Sequence, residues 1–117
     1  MGDYEQFSLD EEGGLAISGV SVKKMAQKYG TPLYLMDEET IRINCRRYME
    51  VMRRNFGENF AVAYASKAFC AKAIYPILAQ EGLHADVVSA GELYTALSGG
   101  FLAEHLHFHG NNKTEEE

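Results

Sequence analysis

Phe60-Ala61-Val62-Ala63-Tyr64-Ala65-Ser66-Lys67, an apolar run that ends in a lysine, decides how this chain folds. A continuous apolar stretch of this length reads as a strand covered on both faces. Two further strand signals follow, His84 to Val88 and Leu106 to His109. Their starts, near residues 60, 84 and 106, give a repeat of about 24 and then 22 residues. Helices fill the gaps. One runs from about Ala71 to Glu81, with its regular part starting near Ala73 so that Pro76 falls in the first turn, where its missing N–H costs nothing. Gly82 closes it. Ser89 caps the next helix, which runs through Ser98 and is followed by Gly99 and Gly100. Repeated β-α units build an α/β fold with a parallel sheet and right-handed crossovers.

Upstream, Phe7–Leu9 and Leu15–Ile17 flank a Glu12-Gly13-Gly14 turn and predict a short β-hairpin. Ser21 caps a helix through Tyr29, ended by Gly30. Thr31-Pro32 launches a short strand, Leu33 to Met36. Asp37 caps a long helix whose Ile41, Cys45, Tyr48, Met49, Met52 and Phe56 share one stripe, and Gly57 ends it. Downstream, Thr114-Glu115-Glu116-Glu117 has the form of a capping box. A helix start at the last residues predicts a truncated sequence; the alternative is a frayed acidic tail. Truncation fits an eight-fold barrel, which needs about 250 residues.

The 117 residues are 46% hydrophobic and 24% charged, ordinary values for a globular chain. With 11 basic and 17 acidic residues the net charge is −6, which excludes a general attraction to nucleic acid or to anionic membranes. No apolar run approaches the roughly 20 residues that span a bilayer. Met1 to Gln6 carries two acids and no basic segment, so no secretory signal is expected. Cys45 and Cys70 are too few for a disulfide framework, and a cytoplasmic location is expected.

Strand parity singles out Lys67. It shares a face with Ala61, Ala63 and Ala65, small side chains that leave room beside an amine. Barrel enzymes keep their active sites at the C-terminal ends of their strands. An amine held there loses solvation and favours its nucleophilic neutral form, the requirement of Schiff-base chemistry. The alternative is a solvated lysine at a strand end. Asp86, one β-α unit later in an apolar strand, is the second candidate. It either pairs with Lys67 across neighbouring strands or caps the following helix. His105, His107 and His109 share one parity, an arrangement that chelates zinc when a further ligand is present. No carboxylate ligand stands out, so no metal site is expected. Gly110-Asn111-Asn112-Lys113 forms a polar loop at the Lys67 end, which either contacts a ligand or turns the chain. Neither a G-x-G-x-x-G nor a G-x-x-x-x-G-K-[ST] motif is present. Met36, Met49, Met52 and Cys45 read as packing.

Four stretches carry a family resemblance. They are Thr31-Pro32-Leu33-Tyr34 with Asp37-Glu38-Glu39-Thr40, Ala63 to Phe69, Asp86 to Leu93, and Phe108 to Lys113. In this order, from about Leu15 to the last residue, the chain resembles the N-terminal part of the diaminopimelate decarboxylases. These are pyridoxal-phosphate enzymes of the alanine racemase and ornithine decarboxylase fold group. The resemblance implies the N-terminal part of a parallel (β/α)8 TIM-type barrel. It further implies that the hairpin, residues 1–20, belongs to a second β domain and that residues 21–117 are an incomplete pyridoxal-phosphate-binding barrel. It implies decarboxylation of meso-2,6-diaminopimelate to L-lysine and CO2. Lys67 would carry the cofactor as a Schiff base, with Asp86 beside it. It implies a homodimer at full length. The phosphate-binding, pyridine-nitrogen and substrate-binding elements match later sequence, and neither Cys45 nor Cys70 inherits the family's catalytic cysteine. Related arginine or ornithine decarboxylases share the lysine motif. A fragment of one of these, or a non-catalytic pyridoxal-phosphate-binding module, is the alternative.

Overall fold

The computed structural model describes residues 6–111 and 113–117. It divides into two units, Met1–Ile41 and Arg42–Glu117.

In the first unit, β1 (Phe7–Leu9), β2 (Leu15–Ile17) and β3 (Val20–Ser21) form an antiparallel sheet in that order. The predicted hairpin is there, with Phe7 opposite Ile17 and Leu9 opposite Leu15; the two-residue β3 was not expected. Asp10 builds the turn. Its Oδ1 accepts from the backbone N–H of Glu12 (3.0 Å) and Gly14 (2.7 Å), and its other oxygen accepts the Ser21 hydroxyl. These bonds, Ser21's first and Gly14's next, hold the Asp10 carboxyl below the usual carboxylate range. Ser21 also caps α1 (Val22–Tyr29), and Gly30, at φ 82°, returns its N–H to Ala26 O at 2.8 Å. Leu33–Met36 is not a strand. It is irregular, and its apolar side chains are exposed, Tyr34 at 95%. Apolar composition makes a strand only where a neighbouring edge completes its ladder.

Asp37 starts α2 (Glu38–Phe56), accepting the backbone N–H of Thr40 at 3.2 Å and its hydroxyl, which lowers the Asp37 carboxyl. Glu38 and Glu39 at this end and Arg53 and Arg54 at the other suit the helix dipole. The predicted stripe holds at four of its six positions. Cys45 is buried and Ile41, Met49 and Met52 are half-buried, but Tyr48 and Phe56 are exposed.

In the second unit, β4 (Ala63–Ala65), β5 (His84–Val87) and β6 (Leu106–Phe108) form a parallel sheet in that order. Between them lie α3 (Ile74–Gln80), with Pro76 in its first turn as expected, and α4 (Ala90–Ser98). Ser89 caps α4 by accepting from Glu92 N at 3.2 Å, and the Glu92 carboxylate reaches back to Val88 N at 2.8 Å. Arg42 and Arg46 on α2 clasp Glu81 at 2.9 and 2.8 Å. The Thr114 capping box forms locally: Thr114 N bonds the Glu117 carboxylate at 3.2 Å, and Glu117 N bonds the Thr114 hydroxyl at 3.3 Å.

Register decides the faces. Ala63 pairs with His84, and Ala65 with Asp86, which in turn pairs with His107. These five side chains share one face, because paired residues of a parallel ladder point the same way. Tyr64, Ala85, Val87, Leu106 and Phe108 take the other. Ala85 and Val87 are fully buried, and this second face lies in a core with Ile74, Tyr75, Leu78, Leu83, Ala96 and Phe101. Tyr75 meets Phe101 edge-on at 5.8 Å. The run Phe60–Ser66 is therefore not a strand covered on both faces. Only Ala63–Ala65 is strand, and Ala61 and Ala63 are exposed.

Candidate functional site

Lys67 does not lie on β4 itself. It stands in a single 3-10 turn, Ser66–Ala68, that leaves the strand's C-terminal end, and its side chain is exposed. The turn is anchored from beneath. Ser66 is buried, and the Tyr64 hydroxyl donates to Phe69 O at 3.1 Å. Tyr75, fully buried, sits 3.5 Å from the Cys70 sulfur. Burial first, and the Cys70 neighbour second, push its phenol up to about 12. The lysine side chain is thus exposed on a turn whose backbone is tied to the core by buried Ser66 and the Tyr64 hydroxyl.

Asp86 is on the same open face, in the row that joins Ala65 to His107. It does not cap α4, since Ser89 does. Its carboxylate instead bonds Nδ1 of His109. The His109 N–H donates to Val87 O at 3.1 Å, so ladder bonding continues past β6 and holds His109 beside Asp86.

The three histidines of one parity part company. His107 joins His84 and His105 toward the N-terminal ends of the strands. His84 Nδ1 is 2.9 Å from His107 Nε2, and the His84 ring stacks on His105 and His107 at 4.5 and 5.1 Å. Burial, followed by the two neighbouring imidazoles, lowers the His84 pKa. Among the described residues, no group of three or more His, Cys, Asp or Glu is arranged to hold a metal ion. At the other end, Lys113 Nζ bonds Phe108 O and lies 4.4 Å from the Phe108 ring centre, which brings the Lys113 side chain back on β6.

His84 and the Asp86–His109 link escaped the sequence reading. The signal was available: Asp86 and His109 are 23 residues apart, close to one β-α repeat, which brings such residues to adjacent strands.

Residues 39–117 match the family model described as the pyridoxal-binding domain of pyridoxal-dependent decarboxylases. The chain belongs to this family. It is 48% identical over 108 residues to a diaminopimelate decarboxylase of Bacillus subtilis, covering 92% of this chain and 24% of that protein. A Methanocaldococcus jannaschii diaminopimelate decarboxylase is 46% identical over 110 residues, 92% of this chain and 25% of the relative. The crystal structure of the diaminopimelate decarboxylase from that organism superposes with a TM-score of 0.86 at 42% identity, over 97% of this chain and 26% of the other. The same enzyme has also been solved with L-lysine. The chain therefore spans about a quarter of the length of these relatives. Among the described residues no helix is long and apolar enough to cross a membrane.

Proposed function

We propose that this chain is the cofactor-lysine region of a cytoplasmic diaminopimelate decarboxylase. That enzyme converts meso-2,6-diaminopimelate to L-lysine and CO2 with pyridoxal 5'-phosphate. On this reading residues 21–117 are the first part of a (β/α)8 barrel, the hairpin within residues 1–20 belongs to a second β domain, and the full-length protein is a homodimer. The observation that carries the reading is an exposed amine, Lys67, at the C-terminal end of a parallel strand whose adjoining face is alanine. Kinship at 48% identity with a protein of that activity supports the choice of substrate.

The residues fit such a group. Ala63 and Ala65 leave the face low beside Lys67, so a flat aromatic ring meets no bulky side chain from β4. Lys67 would hold the group through Nζ, and Asp86 would supply a negative charge on the same face. When bound, pyridoxal phosphate supplies an electron-withdrawing ring that takes up the electron pair left by departing CO2. Lys67 would then yield its place to the substrate amine and reclaim it after product forms.

The test is decarboxylation by the full-length protein that contains this chain. It should release CO2 from meso-diaminopimelate, form L-lysine, and lose this activity on Lys67→Ala. Turnover of arginine or ornithine in preference to diaminopimelate would overturn the assignment.

A further inference from the structure

We propose that Asp86 and His109 form a proton-accepting pair that serves Lys67. Asp86 anchors the imidazole through Nδ1, and Nε2 accepts the proton that the lysine nitrogen sheds as it bonds to a carbonyl carbon. The inference rests on the reading of Lys67 as the cofactor amine.

Three observations bring these groups together. First, Asp86 spends its carboxylate on His109 and not on the helix that follows it, which Ser89 caps. Second, the His109 N–H bonds Val87 O, which fixes the backbone from which the ring projects. Third, Ala65, Asp86 and His107 form one row across the sheet. Lys67 and His109 each stand two residues beyond a member of that row, at the same end. Their row members, Ala65 and His107, lie two strand spacings apart, about 10 Å between backbones. A four-carbon lysine stem and an imidazole reaching from opposite sides span such a gap.

The chemistry follows from the tautomer. A carboxylate accepting from Nδ1–H leaves the lone pair on Nε2. When Nζ bonds to the carbonyl carbon, the C=O π pair moves to the oxygen, and one N–H bond of the nitrogen breaks with its electron pair kept on nitrogen. The proton adds to Nε2, and the Asp86 carboxylate opposes the imidazolium charge. An imidazole held by a carboxylate is a common general base for such a transfer. The other titratable groups on elements around His109 are His107 and Lys113 from its own strand and loop, Glu92 from α4, and Lys67 itself. Glu92 already accepts from Val88 N, and Lys113 from its side bonds Phe108 O.

The experiment treats the full-length protein that contains this chain with pyridoxal phosphate and borohydride across pH 6 to 10 and measures the labelling rate of each lysine by peptide mapping. Lys72 and Lys113 serve as internal standards. Near pH 7, His109→Gln should slow Lys67 labelling roughly tenfold or more. Asp86→Asn should slow it less, added imidazole should restore part of the His109→Gln rate, and the standards should stay unchanged. If Lys67 is labelled in preference to the standards but its pH profile is the same in His109→Gln, the pair is overturned while the cofactor amine stands. If Lys67 shows no preference in the unaltered full-length protein, the cofactor-amine reading falls, and this inference with it. Nitrogen-15 spectra of the unaltered chain give a check independent of any variant. They should show His109 protonated at Nδ1, and a proton on Nε2 alone would overturn the proposal.

Discussion

Gly99→Ala sets two effects of opposite sign against each other. Gly99 ends α4 at φ −80° and ψ 0°, a conformation open to any residue. By backbone entropy alone the change should stabilise the chain by about 0.4–1 kcal/mol. The space forbids it. An added Cβ would stand 2.9 Å from Tyr75 Cβ, 3.0 Å from Lys72 O and 3.3 Å from Ala96 O. Carbon atoms prefer about 3.5–4.0 Å. Tyr75 is fully buried with its ring against Phe101, and the other two neighbours are backbone, so none can give way cheaply. Overpacking of this kind costs about 1–3 kcal/mol. Crowding wins, for a net loss of about 0.5–2 kcal/mol. With an m-value near 1–1.5 kcal/mol/M, the urea midpoint should fall by about 0.5–1.5 M. Gly91→Ala is the control. There an added Cβ meets only Ser89 Oγ at 3.9 Å, and α4 should gain up to about 1 kcal/mol. The chain has no tryptophan, so far-UV circular dichroism is the probe. A Gly99→Ala midpoint at or above that of the unaltered chain would refute the packing around Tyr75.

Acid should loosen the second unit through Glu81, whose carboxyl Arg46 first and Arg42 second hold below its ordinary value. A lowered folded-state pKa contributes stability above the unfolded pKa that is lost as pH falls through the folded one. Urea midpoints should therefore drop below about pH 4.5, and Glu81→Gln should flatten that part of the profile; an equally steep profile in the variant would exclude this pair as the cause. Thiol titration of the folded chain should give one fast and one slow group. Cys70 is exposed, while Cys45 is buried and its thiol is pushed up by burial and then by the Glu81 charge. Cys70→Ser should remove the fast phase, and two fast thiols would contradict the placement of Cys45.

The β-α repeat was legible because local signals agreed. Ser89, Gly82 and Pro76 each punctuate a helix in the position its chemistry requires, and the structure honours all three. Leu33–Met36 misled because apolarity records what a segment can bury, not whether a neighbour exists to bury it. The end of the apolar run marked Lys67 as lying at the C-terminal end of β4, but the parity that gave it the face of Ala61, Ala63 and Ala65 does not extend to it, because the chain turns at Ser66. The expected both-sided cover of β4 failed for a related reason: helices pack on the Tyr64 side, and the alanine side stays open. The Asp86–His109 bond depends on strand register, which no single stretch of sequence contains.

The chemistry assigned to Lys67 requires that this lysine, and no other, takes the cofactor. Incubation with pyridoxal phosphate at neutral pH, borohydride reduction and peptide mapping answer it directly. The stable adduct should sit on Lys67, at the end of the alanine face, and Lys67→Arg should abolish it while keeping the charge. An adduct on Lys72 or Lys113, or one spread evenly over all three, would contradict the account.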